Sequence, residues 1–237
     1  MPRNLPTSYI VPTRPVISNE PITAIILAAN IGYGMKSYGP KTLLNINNKS
    51  LLEYQTELLR KIFPQLDIIL VVGFFADRII RKCPKSIRIV ENQLYESTNE
   101  TQQLKLALNC TLTDNVLIIK DNIIFNEETL KAITKDKSCI IYDSQKQIDS
   151  GDIGINIVDG FVTTFTYDSM IKWCHIAYIT GRELKIIRNL CNNKDNAQKY
   201  LFEILDIMLH KIDKIKAIEP QNMEIIRINS FRDLERL

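Results

Sequence analysis

Glycine and lysine residues that suit a phosphate group gather in one loop near the start of the sequence. This loop contains Gly32, Gly34 and Gly39, together with Lys36 and Lys41. Glycine permits backbone conformations and close approaches that a side chain would block, and lysine supplies positive charge. The combination favours a polyphosphate ligand.

Two common phosphate-binding loops fit this spacing poorly. A P-loop needs two glycines separated by four residues and followed directly by Lys-Ser or Lys-Thr, but Pro40 stands between Gly39 and Lys41. A dinucleotide-binding fingerprint opens directly into a helix, whereas Gly34 is followed by a loop that contains Lys36 and Pro40. We therefore reject the P-loop, and the dinucleotide pattern is weak.

The elements around the loop predict where it lies in the fold. Residues 22–29 read ITAIILAA, a short apolar run that is typical of a strand buried on both faces of a parallel sheet. Further strand patterns alternate with helical patterns, namely strands at 68–73, 87–90 and 116–120, and helices at 51–62 and 77–82. This alternation predicts an α/β fold with a doubly wound, mixed but mostly parallel sheet flanked by helices. Ligands of such sheets bind at the carboxyl ends of the strands, where residues 30–41 lie.

The second half of the chain predicts antiparallel strands and further helices. Asp159-Gly160 between two strand patterns is a strong hairpin signal. Strands are expected at 139–142, 153–158, 161–167, 173–179, 214–218 and 224–228, and helices at 127–134, 182–190, 196–210 and from residue 231 onward.

The glycine-lysine loop resembles the signature of the sugar-phosphate and choline-phosphate nucleotidyltransferases of the glycosyltransferase-A type. That signature is a strand ending Leu-Ala-Ala-Gly-x-Gly-x-Arg-Met, followed by a loop and Pro-Lys. The matching residues are Leu27, Ala28, Ala29, Gly32, Met35, Pro40 and Lys41. Two residues depart from the signature: Asn30 replaces its first glycine, and Gly34 replaces the arginine that contacts the triphosphate in the family. Lys36 is the candidate to replace that arginine.

Three later segments carry the same resemblance towards residue 237. The pattern Asn-x-x-Tyr-x-x-Thr-Asn at residues 92–99 resembles the second motif of the choline-phosphate branch, which implies nucleotide contacts from Thr98 and Asn99. Asp121 stands where the family has a magnesium-binding aspartate, although an aspartate after a strand is also a common turn residue or helix cap. Asn229 stands where the closing motif has its second metal carboxylate, and asparagine binds metal through its carbonyl oxygen.

The resemblance implies an enzyme that transfers a nucleotidyl group from a nucleoside triphosphate, with CTP favoured, to a small phosphomonoester. Lys41 and Asp121 are then the expected catalytic residues, and Mg²⁺ is the expected cofactor. The family has a glycine at His175, in the acceptor pocket, so we expect this histidine to shape the pocket rather than to act as a base. The alternative is an inactive protein of the same fold that serves as a structural or binding component.

Composition and the first residues set the remaining limits. The chain of 237 residues is 45% hydrophobic and 24% charged, as ordinary globular proteins are. A net charge of +3 gives no reason to expect binding to nucleic acid, and the apolar runs are too short to span a bilayer. We therefore expect a cytoplasmic protein without membrane or nucleic-acid partners.

Residues 1–21 predict an extended, proline-rich arm that precedes a single domain over residues 22–237. The arm is either a tail or a segment that binds a partner or a second copy of the chain.

Overall fold

The computed structural model describes residues 21–32, 39–46, 48–149, 151–167, 169–212 and 214–234. The predicted arm lies outside the described residues except for Pro21, so the arm and the domain boundary after it stay predictions. Gly34, Met35 and Lys36 of the first motif also lie outside them.

The described residues form strands and helices that alternate through the first half of the chain. In order, they are β1 (Ile22–Ala28), a 3₁₀ helix (Lys41–Leu43), β2 (Asn45–Ile46), β3 (Lys49–Ser50), α1 (Leu51–Ile62), β4 (Leu66–Val72), α2 (Ala76–Lys82), β5 (Arg88–Glu91), α3 (Glu100–Cys110), β6 (Asn115–Lys120), β7 (Ile123–Phe125), α4 (Glu127–Lys131), β8 (Cys139–Asp143), β9 (Gly154–Val158), β10 (Phe161–Thr166), β11 (Lys172–Thr180), α5 (Gly181–Asn192), a second 3₁₀ helix (Lys194–Asn196), α6 (Leu201–Leu209), β12 (Ile215–Ile218), β13 (Ile225–Arg227) and α7 (Phe231–Leu234). No helix in the described ranges is long and apolar enough to cross a membrane.

One large mixed sheet organises these elements. Its strand order is β5-β4-β1-β6-β11-β8-β12-β10-β9. The strands β5, β4, β1 and β6 are parallel to one another. By contrast, β11 pairs antiparallel with β6 and β8, and the β9–β10 hairpin forms the far edge. The predicted α/β fold with a mixed sheet is confirmed.

The apolar run of β1 is buried on both faces of the sheet. Ile25 and Leu27 pack into the cluster that contains α3, α5 and α6, while Ala24 and Ile26 pack into the opposite cluster with α1, α2 and α4. Because successive side chains of a strand point to opposite faces, a strand covered on both sides must be apolar throughout. This burial fixes the position of the loop that follows β1.

The carboxyl ends of the four parallel strands meet at one edge of the sheet. The loops that leave this edge begin at Ala29, Gly73, Asn92 and Asp121. They bring the first and second sequence motifs and the predicted metal-binding aspartate together, as the rule for doubly wound sheets requires.

Two predicted helices are shorter than expected. The helix expected at 127–134 ends at Lys131, after which the Ile133 N–H donates to the Leu130 carbonyl over 3.1 Å in a tighter turn. The helix expected at 196–210 begins only at Leu201. The carbonyls of Ala197 and Lys199, which would start that helix, instead accept hydrogen bonds from Asn99 and Thr101 at the start of α3.

The start of α1 contains a capping box that can be tested by mutation. Ser50 Oγ accepts from the Glu53 N–H over 3.2 Å, and a Glu53 carboxylate oxygen accepts from the Ser50 N–H over 2.7 Å. Ser50→Ala should lower the free energy of unfolding by about 1 kcal/mol, measured by urea denaturation. Glu53→Gln retains an acceptor for the second bond and should cost less, whereas an unchanged stability in Ser50→Ala would contradict the assignment.

Candidate active site

Lys41 and Asp121 approach each other at the carboxyl edge of the parallel strands. Lys41 begins the first 3₁₀ helix, Asp121 directly follows β6, and both residues are half-buried. Burial lowers the pKa of Lys41, and burial raises the pKa of Asp121 to about 6. Each of the two charges opposes the pKa shift of the other, so they lie close enough to interact in a poorly solvated position.

Gly32 lies directly against the Lys41 side chain. A Cβ atom at residue 32 would be 2.4 Å from Lys41 Cε, which is far closer than two carbon atoms can approach. Because residue 32 has no side chain, the Lys41 side chain can lie directly against the backbone at this position.

A chain of side-chain amides holds the end of β1 against the start of α3. The Ala29 N–H donates to Gln103 Oε1 over 3.1 Å, and Gln103 Nε2 donates to Asn30 Oδ1 over 2.6 Å. Asn30 Nδ2 in turn donates to Asn99 Oδ1 over 3.2 Å, and Asn99 is also the N-cap of α3. At residue 30, where the signature has its first glycine, the hydrogen-bonded Asn30 side chain thus fixes the position of the backbone.

The loops after β4 and β5 close against the same strand end. A Cβ atom at Gly73 would lie 2.7 Å from Tyr95 Cβ and 2.9 Å from the Ala29 carbonyl oxygen, so this close approach requires glycine. Thr98 Oγ1 accepts from Asn92 Nδ2 over 3.1 Å and donates to the Leu94 carbonyl over 2.6 Å. The Thr98 hydroxyl therefore stabilises the conformation of the loop that contains it.

The small antiparallel pair β7–β13 brings Asn229 to the turn that contains Asp121 and Asn122. Ile123 of β7, which begins two residues after Asp121, pairs with Arg227 at the end of β13. Asn122 continues this pairing, because its carbonyl accepts from the Ile228 N–H over 2.7 Å and its Nδ2 donates to Asn229 Oδ1 over 3.2 Å. The two predicted metal-binding residues, which are far apart in sequence, thus flank one turn.

Lys120 forms a buried ion pair next to the same turn. Its Nζ lies 2.5 Å from Glu100 Oε1, and the two side chains are 18% and 4% exposed. The other Glu100 oxygen accepts from the Leu201 N–H over 2.9 Å, so the pair also ties α3 to α6. In a buried pair, the loss of either partner leaves an uncompensated charge in a poorly solvated position.

His175 is buried in β11, where its ring forms no hydrogen bond with the part of the chain that the structure describes. The residue is 3% exposed, and both ring nitrogens lack a partner among these residues. Its φ of 57° is unusual for a side chain other than glycine, and it falls where the pairing of β11 with β8 shifts register. Burial, together with the positive charges of Arg227, Lys120 and Lys172, holds its pKa well below the usual 6.5.

The structure thus brings most of the predicted site residues to one edge, with exceptions. The side chains of Leu27 and Ala28 lie in the core on opposite faces of β1, so only their backbone is near the loop. Gly34 and Lys36 lie outside the described residues.

Sequence reasoning missed two buried glutamines that support the site. One is Gln103, described above. The other is Gln55, whose Nε2 donates to the carbonyls of Lys120 and Ile123 on either side of the Asp121 turn. Their only sequence signal is a polar residue on the inner face of an amphipathic helix.

His175 should make the stability of the protein depend on pH. The imidazole in the unfolded chain takes up a proton near pH 6.5, whereas the buried ring does not, so the unfolded state binds more protons below that pH. Above pH 6.5, His175 therefore does not reduce the free energy of unfolding. As the pH falls below 6.5, the free energy of unfolding decreases by up to about 1.4 kcal/mol for each pH unit because of this residue.

Chemical denaturation between about pH 7.5 and about pH 5.5 tests this expectation. His175→Asn should flatten the pH dependence, since asparagine tolerates a positive φ and does not titrate. His210→Asn is the matched control, because His210 is the other histidine and its side chain is 71% exposed. An equal flattening in both variants, or in neither, would contradict the expectation.

Comparison with known proteins supports the resemblance noted in the sequence. No protein-family profile matches the chain. The choline-phosphate cytidylyltransferase of Streptococcus pneumoniae (strain ATCC BAA-255 / R6) is 31% identical over 123 residues, which are 50% of this chain and 53% of that protein. The match thus spans about half the length of the curated relative.

Solved structures match the fold over nearly the whole chain. The CTP:phosphocholine cytidylyltransferase from Streptococcus pneumoniae superposes with a TM-score of 0.73 at 20% identity, covering 91% of this chain and 96% of that one. The inositol-1-phosphate CTP transferase from T. maritima gives a TM-score of 0.73 at 15% identity, with 89% and 90% covered. A nucleoside-diphosphate-sugar pyrophosphorylase from Vibrio cholerae RC9 gives 0.71 at 11% identity, with 90% and 98% covered. The predicted resemblance is therefore confirmed: the chain has the fold of the sugar-phosphate and choline-phosphate nucleotidyltransferases, and half of its sequence is similar to a member of that family.

Proposed function

We propose that the protein is a nucleotidyltransferase that transfers a nucleotidyl group from a nucleoside triphosphate, with CTP favoured, to a small phosphomonoester such as a sugar phosphate or phosphocholine. The observation that carries this proposal is the approach of Lys41 and Asp121 at the carboxyl edge of the parallel strands. The curated relative is named a cytidylyltransferase, which supports both the reaction and the choice of CTP.

In this reaction a phosphate oxygen of the acceptor attacks the α-phosphorus of the triphosphate. A new P–O bond forms, and the bond from the α-phosphorus to the oxygen that bridges it to the β-phosphate breaks. Pyrophosphate leaves with that electron pair. Because the nucleophile is already an anion, the reaction needs positioning and charge neutralisation rather than a general base.

Lys41 would supply the positive charge. Its ammonium lies beside the strand ends, where ligands of such sheets bind, and its side chain packs against Gly32. A charge in a poorly solvated position acts more strongly on a phosphate than a charge in water does. The amide chain through Gln103 holds the neighbouring Ala29 and Asn30 backbone in place.

Asp121 and Asn229 fit a magnesium ion that arrives with the nucleotide. Asp121 provides a carboxylate, and Asn229 Oδ1 has a second lone pair beyond the one that takes the hydrogen bond from Asn122. Within the described residues, no group of three or more His, Cys, Asp or Glu side chains could hold a metal. Magnesium is usually held by one or two carboxylates together with water and substrate phosphates, and it then neutralises phosphate charge.

Nucleotide and magnesium should stabilise the protein only together. At a hundredfold excess over its dissociation constant, the correct nucleotide adds about 2.7 kcal/mol, which raises the melting temperature by several degrees. Thermal unfolding with CTP, UTP, ATP or GTP, each with magnesium and again with EDTA, measures this shift. We expect a shift with magnesium and CTP and little effect of magnesium alone. If no nucleotide shifts a well-folded protein, the inactive alternative is favoured.

Loss of either central charge should abolish most turnover while the protein remains folded. Lys41→Met and Asp121→Asn should each lower the rate of CTP-dependent pyrophosphate release at least about a hundredfold, because each removes charge that stabilises the reacting phosphates. Asp159→Asn, at the tip of the β9–β10 hairpin, is the control for Asp121→Asn and should leave the rate unchanged. Turnover within twofold of the wild type in Lys41→Met or Asp121→Asn would be inconsistent with the proposed site.

A further inference from the structure

The glycine-lysine loop lacks one positive charge that its signature contains. Gly34 stands where the signature has an arginine that contacts the triphosphate. Lys41 remains at the edge of the sheet, but the nearby carboxylate of Asp121 offsets part of its charge. A triphosphate, even with a magnesium ion bound, carries more negative charge than a single lysine neutralises. A second cation from another part of the chain is therefore to be expected.

Arg78 of α2 brings a guanidinium group to the end of this loop. A Cβ atom built at Gly39 would lie 3.8 Å from Arg78 Nη1, which is an ordinary van der Waals distance. Gly39 has a φ of 88°, which favours glycine, and it stands two residues before Lys41. The arginine thus comes from the helix after β4 and reaches the same loop in which the signature has its own arginine.

Arg78 and Lys41 belong to elements on the same face of the sheet. Ala76 and Ile79 of α2 are buried in the cluster that also contains α1. Leu43, in the 3₁₀ helix that begins with Lys41, packs against the same cluster. A single ligand at this edge can therefore contact both cations.

The Arg78 guanidinium is held in place without a carboxylate partner. None of the ion pairs in the described part of the chain includes Arg78. Its Cζ instead lies over the ring of Phe75, 4.6 Å from the ring centroid. A guanidinium group that stacks on an aromatic ring keeps its N–H donors, which lie in its own plane, available to a phosphate.

The backbone of Phe75 is unusual for a large side chain. Its φ of 54° and ψ of 35° lie in the left-handed region, and the residue is 39% exposed. Such a conformation costs stability and is found mainly where the surrounding structure imposes it, often at ligand sites. Its effect here is to place an aromatic ring beneath the Arg78 guanidinium.

A cavity of about 380 Å³ opens beside Arg78 at the ends of β4 and β5. Its charged lining residues are Asp77, Arg78, Arg81 and Glu91, so the two arginines are balanced by two carboxylates. Arg81 Nε donates to the Asp77 carbonyl over 3.1 Å. The cavity as a whole therefore does not favour an anion, and the argument for a phosphate depends on the position of Arg78 beside Gly39.

The strand order indicates which phosphates Arg78 can reach. Asp121 follows β6 and α2 follows β4, and these two strands flank β1 on opposite sides. Strands in a sheet are about 4.8 Å apart, so the ends of β4 and β6 are separated by about 10 Å. A triphosphate with its α-phosphate near Asp121 that extends across the end of β1 brings its β- and γ-phosphates towards α2.

We propose that Arg78 contacts the β- or γ-phosphate of the nucleoside triphosphate and supplies the positive charge that the chain lacks at Gly34. Arg78, rather than Lys36, then replaces the arginine of the signature. This inference rests on the proposed function, and it adds a triphosphate-binding residue from an element outside the signature.

Calorimetric titration with CTP and with CMP, each in the presence of magnesium, tests which phosphates Arg78 contacts. Arg78→Met should weaken CTP binding about tenfold, because a hydrogen bond between charged groups is lost. Binding of CMP should not change, since CMP has neither a β- nor a γ-phosphate. An equal loss for both nucleotides, or unchanged CTP binding, would overturn the inference.

Two further variants separate a lost phosphate contact from a general effect. Arg78→Lys retains the charge but not the planar donors, and it should weaken CTP binding less than Arg78→Met does. Arg182→Met is the matched control and should bind CTP as the wild type does. Arg182 follows β11 where Thr180 pairs with Asn115 at the start of β6, so it lies at the opposite edge of the sheet. Thermal unfolding without nucleotide checks that each variant is folded.

The same titrations on Lys36→Met compare the two candidates for the missing charge. We expect Lys36→Met to weaken CTP binding less than Arg78→Met does. A larger loss in Lys36→Met would assign the charge to Lys36 and overturn this inference, while the proposed function would stand. If the wild-type protein binds no nucleoside triphosphate at all, the proposed function and this inference both fail.

Discussion

Two opposite charges, on Lys41 and Asp121, are held half-buried where the parallel strands end, and the surrounding structure depends on keeping them there. Burial destabilises the charged form of both groups, and their mutual attraction offsets part of that cost. Charges in such a position are poorly solvated by water and therefore remain able to interact with a phosphate. Each of the loops around the edge can be understood as a means of holding this arrangement.

Neutral side-chain amides, rather than further charged groups, fix most of the backbone segments around this edge. Gln103 and Asn30 fix the end of β1, Gln55 spans the turn after β6, and Asn122 attaches the Asn229 segment. Amides donate and accept without adding net charge, so they position the backbone while disturbing the electrostatics of the edge little. The buried pair of Lys120 and Glu100 is the exception, and it ties the edge to α6.

The sequence predicts the strand-helix alternation well because β1, β4 and β6 are apolar enough to be buried on both faces and α1 carries its own cap. The same reasoning places Lys41 and Asp121 at one edge, since the parallel topology gathers strand ends. It could not predict that β7 pairs with β13, because both strands are short and their pairing spans about a hundred residues of chain. Nor could it predict that His175 lacks a hydrogen-bond partner among the described residues, at the register shift in β11. The positive charges that help to lower its pKa come from Arg227 and Lys120 on other strands as well as from Lys172 on its own strand.

The contact between Gly32 and Lys41 has a consequence for how the sequence can vary. The lysine reaches its position only because nothing projects from residue 32, and any substitution there, even alanine, would require the lysine to take another path. The two positions are therefore constrained as a pair, and a chain that loses the glycine can keep its lysine and still lose the lysine's place at the edge. A search for active relatives should accordingly ask for both residues together, because the lysine by itself does not guarantee the geometry.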